Sequence, residues 1–196
     1  SSTSRGLGDV YKRQRLHRER FHLAPVGEGC SSSGEFWEAM NFAGARGLPI
    51  CYMIQNNQIA LDTFSASQSG SETYGDKGIA MGIPSWTIDG SDPAQFFSST
   101  AVAREFALDG GGATLIHVET MRGCGHAHHH DDLYLGAISG NPPGYVGRDL
   151  LNYWSLKDPI PNHHNLLISL GVNEKELENI QSLSLIHISE PTRRRG

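Results

Sequence analysis

The order of elements between Phe21 and Ile54 constrains this chain more than any other feature. "FHLAPV" (Phe21 to Val26) reads as a short strand, although Pro25 would weaken it inside a sheet, and it runs straight into Gly27-Glu28-Gly29. In "SGEFWEAMNFAGARG", Phe36, Ala39, Met40 and Ala43 recur at the spacing of one helix face, with Ser33 placed to cap the start and Gly47 to stop the end. "PICYMI" (Pro49 to Ile54) is then a continuous apolar run of strand length, the kind buried on both faces of a parallel sheet. The same alternation continues as a short helix over Tyr74 to Met81, a strand over Ser85 to Asp89, a helix over Pro93 to Leu108 and a strand over Thr114 to Thr120. Strands alternating with helices predict an α/β fold with an open, mostly parallel sheet and helices on both faces. Phe36, Trp37 and Met40 are expected in the core, Phe96 and Phe97 between helix and sheet, and Cys51 as an inert small hydrophobe in a buried strand.

Composition narrows the function classes. At 196 residues, 38% hydrophobic and 19% charged, the chain can build a sizeable core and is neither disordered nor fibrous. Cys30, Cys51 and Cys124 are odd in number and widely spaced, which fits a reducing compartment better than a disulfide framework or a zinc knuckle. No apolar run reaches the ~20 residues of a membrane span, and neither end has the order of a secretory signal, so a soluble protein is expected. Ser1 to Gln14 and Ser184 to Gly196 differ in character from the rest and resemble translated sequencing-library adaptors. They hold six of the 16 Lys/Arg and two of the 21 Asp/Glu, leaving 10 basic against 19 acidic residues, a net −9 over Arg15 to Leu183. That balance argues against a nucleic-acid partner.

In an open α/β sheet, ligands bind at the carboxyl ends of strands, where loops enter helices. Gly27 and Gly29 permit a tight turn and close backbone approach, and the free N–H groups that follow favour a phosphate. A carboxylate aimed at that phosphate would repel it. Glu28 therefore makes sense if a divalent cation lies between them, and the side-chain oxygen of Asn57, at the end of the next strand, is a suitable hard ligand for Mg²⁺. The alternative is that the glycine turn and the Asn56-Asn57 pair are an ordinary turn and an ordinary strand exit, unrelated to each other.

Glycine, acid, glycine and, after a run of 26 residues, Asn-Asn resembles the cofactor fingerprint of thiamine diphosphate enzymes, whose usual form has Asp where this chain has Glu28. With "FWEAMNFAGARGLPICYMIQNNQIALDT", "DKGIAMGIPSWTIDGSDPAQFFSSTAVAREFA" and "LIHVETMRGCGHAHHHDD", the chain resembles the alpha-type, thiamine-binding part of the decarboxylating dehydrogenase component of 2-oxoacid dehydrogenase complexes. The resemblance covers Val26 to Asp132 well, and is nearest to the branched-chain (2-oxoisovalerate) type, in which Glu also occurs at this position. It implies a transketolase-like thiamine diphosphate-binding fold, here expected to be incomplete at both ends. It assigns Mg²⁺ to the side chains of Glu28 and Asn57 and the backbone carbonyl of Ile59, and the diphosphate to the backbone of Gly29 and Cys30. His126, in "RGCGHA", matches the loop histidine that reaches the cofactor and is the catalytic candidate. Relatives from mitochondria carry a regulatory Ser just after this histidine, where this chain has Ala127, so that phosphorylation switch is absent at this position.

The resemblance further implies oxidative decarboxylation of a 2-oxoacid, branched-chain before pyruvate, with the acyl group passed to a lipoyl-bearing acyltransferase partner and a beta-type half completing the cofactor site. On this reading residues 15–135 form the thiamine diphosphate and Mg²⁺ domain and 136–183 an extension toward the second half, and the chain alone is inactive. The compartment would be the cytoplasm of a bacterium, or the mitochondrial matrix in a eukaryote. Two rivals stand beside it. His126, His128, His129, His130, Asp131 and Asp132 could form the transition-metal site of a hydrolase, although their spacing matches no zinc-hydrolase helix motif. The chain could also be a folded piece that completes no site.

Overall fold

The computed structural model describes residues 20–127, 130–136 and 143–189, with backbone only over 185–189. Ser1 to Gln14, most of the C-terminal segment 184–196, and the His128 and His129 candidates lie outside the described residues, apart from the helical backbone of 184–189. The chain divides into two compact units, Ser1–Leu156 and Lys157–Gly196.

In the first unit, strand β1 (His22–Gly27) leads through a 3-10 turn at Cys30–Ser32 to helix α1 (Gly34–Arg46) and strand β2 (Ile50–Asn56). A two-stranded hairpin follows, β3 (Ile59–Ala60) and β4 (Thr63–Phe64), then helix α2 (Asp76–Ala80), strand β5 (Ser85–Asp89), helix α3 (Pro93–Leu108) and strand β6 (Thr114–Glu119). Helices α4 (Asp131–Leu135) and α5 (Arg148–Ser155) complete it. The four long strands form one sheet in the order β1-β2-β6-β5, with every pairing parallel. Pro25 is tolerated because β1 pairs on one side only among the described strands, so the missing N–H deprives no second neighbour.

Local chemistry places the helices as expected. The Ser33 hydroxyl accepts from the Phe36 N–H at 3.4 Å, and Gly47 closes α1 in the left-handed conformation at φ 56°. Asp92 caps α3 through bonds from the N–H groups of Ala94 and Gln95, with Pro93 in the first turn. Along β2, alternate side chains face opposite ways. Ile50, Tyr52 and Ile54 join Phe36, Ala39, Met40 and Ala43 of α1, whereas Cys51 and Met53 join Ile116, Val118 and Ala103 of α3. The two helices therefore cover opposite faces of the sheet, and burying each large apolar side chain contributes roughly 1.5–3 kcal/mol. Burial pushes the Cys51 thiol up to about 11, so it is an inert core group.

One packing expectation fails. Phe96 packs partly buried against the Cys51 and Met53 face, but its neighbour Phe97 is 77% exposed. Successive helical residues project about 100° apart, and here Phe96 takes the direction of the sheet while Phe97 is turned away from it. The short helix is also briefer than its sequence pattern, Asp76–Ala80, with Tyr74 left before it and its ring in the core.

The second unit contains α6 (Pro159–Ser169), capped by Asp158, and α7 (Glu174–Ser189), whose first turn is held by the Asn173 side chain accepting from the Lys175 N–H at 2.9 Å. Among the described residues no helix is long and apolar enough to cross a membrane.

Candidate active site

Because β1 and β2 are adjacent and parallel, with Gly27 opposite Gln55, both motifs leave the sheet at the same edge. Glu28 is 1% exposed, and its Oε2 accepts from the backbone N–H of Asn57 at 3.3 Å. The glycine turn and the Asn pair therefore meet, although 29 positions separate these two residues. Among the described residues, no cation pairs with the Glu28 side chain.

The glycine turn is built for backbone exposure. The N–H groups of Ser31, Ser32 and Ser33 fold back onto the carbonyls of Glu28, Gly29 and Cys30, while the Gly29 and Cys30 N–H groups enter none of the turn's bonds. Gly29 must lack a side chain, because a Cβ there would lie 2.7 Å from the Ala60 Cβ, so the hairpin presses directly on the turn. Ser31, wholly buried, donates to the Glu28 carbonyl at 2.6 Å. Lys77 locks it from behind, its Nζ donating to the Ser31 carbonyl at 2.8 Å and hydroxyl at 2.9 Å. The ammonium lies 5.2 Å from the Trp37 ring centre and 4.9 Å from that of Tyr74, which favours the charge that burial alone disfavours. Burial lowers the Lys77 pKa from the ordinary lysine value.

The second strand end carries a strained turn. Asn56 Oδ1 accepts from the Gln58 N–H at 3.0 Å and from the Ser65 hydroxyl at 2.7 Å, and this local bonding holds Gln58 at φ 77°, a region non-glycine residues seldom occupy. Asn57 Oδ1 accepts from the Ile59 N–H at 3.3 Å, so the Asn57 side chain and the Ile59 peptide belong to one compact turn. The Ile59 side chain is fully buried with Tyr134 and Val146.

The Tyr74 hydroxyl is buried without a hydrogen-bond partner; Ser65 lies close enough to temper its titration but completes no bond with it. Burial raises the Tyr74 pKa, Ser65 lowers it and the Glu28 charge raises it further. A cleft of about 370 Å³ runs from Ser32 and Trp37 along Gln68–Ser71 to Asp76 and Lys77, and takes in neither Glu28 nor Asn57.

His126 stands apart. It is exposed in a bend, and no described hydrogen bond joins it to the Glu28–Asn57 turn. The root of its loop is nevertheless tied to the hairpin: Arg122 Nη2 donates to the Leu61 carbonyl and, at 3.0 Å, to the Tyr145 hydroxyl, and its guanidinium stacks 4.8 Å from the Tyr134 ring centre. Gly125 donates its N–H to Asp131 Oδ1 at 2.7 Å, which occupies one carboxylate of the acidic pair in a structural bond. Among the described residues no three His, Cys, Asp or Glu side chains gather as a metal site.

Lys77, Tyr74 and His117 were not singled out in the sequence. Lys77 lies in "YGDKGIAMG", where no periodicity marks it as buried; His117 carried a usable signal, as the one imidazole inside the apolar strand "TLIHVE".

The chain is an α/β protein with a parallel sheet whose carboxyl edge brings together a buried acid, N–H groups left out of the turn's own bonds and a strained Asn turn, the edge at which such sheets place their ligands. The model of the dehydrogenase E1 component family matches residues 4–194, and the chain belongs to that family. Among curated proteins, it is 38% identical over 153 residues to a pyruvate dehydrogenase E1 component subunit alpha of Bacillus cereus, covering 78% of this chain and 39% of that one. The corresponding subunit of Bacillus subtilis (strain 168) is 37% identical over 153 residues, with the same coverage. The chain thus spans about two fifths of the length of these relatives. A solved structure of a protein isolated from Mycobacterium smegmatis, described as a thiamin diphosphate-dependent enzyme, aligns with 61% of this chain and 22% of its own at 18% identity and a TM-score of 0.48.

Proposed function

We propose that this chain is the diphosphate-gripping half of a thiamine diphosphate-dependent 2-oxoacid dehydrogenase, and that Glu28, Asn57 and the Ile59 carbonyl hold Mg²⁺ against the diphosphate. One observation carries the reading: a carboxyl side chain that is 1% exposed and has no cationic partner among the described residues sits beside two N–H groups left out of the turn's own bonds. A buried carboxylate is costly unless compensated. A divalent cation compensates it, and an anion on the Gly29 and Cys30 N–H groups completes the set.

The protein's own residues bind and orient. Gly29, kept free of a side chain by the hairpin, lets the backbone approach the diphosphate, and Lys77 and Ser31 hold the turn so that its N–H groups do not reorganise on binding. Glu28 and the Asn57 turn fix the cation. The bound cofactor supplies carbanion stabilisation at the 2-oxoacid carbon. His126, the residue that matches the family's loop histidine, would contact the cofactor, and a beta-type half would provide the opposing wall that excludes water. A lipoyl-bearing acyltransferase receives the acyl group.

For the substrate, the names of the bacterial relatives support pyruvate, and Glu28 in the acid position supports a branched-chain 2-oxoacid. The experiment is 2-oxoacid-dependent reduction of an artificial electron acceptor by the purified chain, alone and mixed with a beta-type half from a relative, with pyruvate and 2-oxoisovalerate in separate arms. Activity is expected only on mixing, and the faster arm assigns the substrate class. Turnover by the chain alone, or none with either substrate after a complex has formed, contradicts the reading.

A further inference from the structure

Behind the Asn turn runs a chain of hydrogen bonds whose polarity can be worked out. Asn56 Oδ1 accepts from the Gln58 N–H and the Ser65 hydroxyl, which fixes the orientation of the carboxamide and points its Nδ2 at His117 Nε2, 3.3 Å away. A carboxamide nitrogen only donates, so Nε2 must be the unprotonated ring nitrogen. The ring proton is then on Nδ1, which donates to Thr87 Oγ1 at 3.1 Å. His117 is 2% exposed and lies beside the Tyr74 ring, with centres 5.5 Å apart. The network crosses three adjacent strands, from Thr87 on β5 through His117 on β6 to Asn56 on β2, and ends on the turn that holds Gln58 at φ 77°.

We propose that His117, as its Nδ1–H tautomer, is a positioning residue that holds the Asn56 carboxamide and, through it, the Asn57–Ile59 turn in the geometry that presents oxygen ligands to a divalent cation. The cation's place in this statement rests on the function proposed above. Asn56 anchors the turn while its carboxamide keeps this orientation; Gln58 and Ser65 hold its oxygen end, and His117 is the acceptor that holds its nitrogen end. Residues that orient metal ligands from one layer back commonly change metal affinity by about 10–100-fold when altered.

Two substitutions separate this role from mere filling of the core. His117→Gln can offer an acceptor where Nε2 lies and so keeps the Asn56 bond, whereas His117→Asn reaches only the Nδ1 position and keeps Thr87 while losing Asn56. Mg²⁺ is titrated calorimetrically into each variant of the chain saturated with thiamine diphosphate, melting temperatures are recorded, and the wild-type imidazole is followed in long-range ¹H–¹⁵N spectra. The expected result is Mg²⁺ affinity weakened about 10-fold or more in His117→Asn and largely retained in His117→Gln, whatever their melting temperatures, with the Nδ1–H tautomer in the wild type. An Nε2–H tautomer overturns the inference, as do equal Mg²⁺ affinities in the two variants. A wild-type chain that binds no Mg²⁺ with thiamine diphosphate contradicts the proposed function. Positioning is then read from hydrogen exchange at the Gln58 N–H: protection lost in His117→Asn and kept in His117→Gln supports it, and equal protection overturns it.

Discussion

Changing Glu28 to Ala is expected to weaken Mg²⁺-dependent binding of thiamine diphosphate by at least about 100-fold, on the order of 3 kcal/mol, the scale of removing one partner from a buried charge pair. The effect should be confined to binding. Glu28 is buried, and its Oε2 accepts one N–H bond, from Asn57 at 3.3 Å, so the cofactor-free protein loses little and is relieved of a desolvated carboxyl. Its melting temperature should stay level or rise while affinity collapses. Affinity and stability falling together would mean that Glu28 serves the fold and not a cation. Equal binding in the presence and absence of the carboxylate would remove Glu28 from the ligand set.

The second large effect is a loss of stability in mild acid. Burial lowers the His117 pKa from 6.5 to about 4, with the charge of Asp76 pulling weakly the other way. The unfolded chain therefore takes up a proton as pH falls through 6.5, while the folded chain resists until about 4. Since the unfolded state binds more protons across that window, stability is complete above pH 6.5 and declines toward pH 4, by on the order of 3 kcal/mol. Denaturant unfolding at pH 7 and pH 4.5 should show the drop in the wild type, and much less of it in His117→Gln, which has no proton to accept. A drop of equal size in both would move its origin to other groups.

The sequence made the fold legible where periodicity and punctuation agreed. Ser33, Gly47 and Asp92 act through local hydrogen bonds, and the apolar run from Ile50 to Ile54 can only be buried, so helix α1, strand β2 and helix α3 follow from nearest-neighbour chemistry. Phe97 escaped because its position, about 100° round the helix from Phe96, is the one turned away from the sheet, which the pair of rings in sequence does not reveal. The candidate site was half legible. Glu28, Gly29 and Asn57 announce themselves through spacing, and the parallel pairing of β1 with β2 brings them together. What spacing cannot show is the layer behind them. Lys77 touches Ser31 across 46 positions and His117 touches Asn56 across 61, and contacts that long are made by the topology of the sheet. The strained φ of Gln58 was equally hidden, because Asn-Asn-Gln in sequence does not reveal which residue will be held in the left-handed region.

On the proposed function, the Glu28 and Asn57 strand ends form one Mg²⁺ and diphosphate site. Calorimetric titration of the wild-type chain with thiamine diphosphate, with Mg²⁺ and with the metal chelated, and with thiamine in place of the diphosphate, distinguishes that arrangement from two unrelated turns. Saturable binding that requires both the diphosphate and Mg²⁺ is the predicted result. Binding of thiamine diphosphate that is indifferent to Mg²⁺, or no binding by a folded chain, would contradict it.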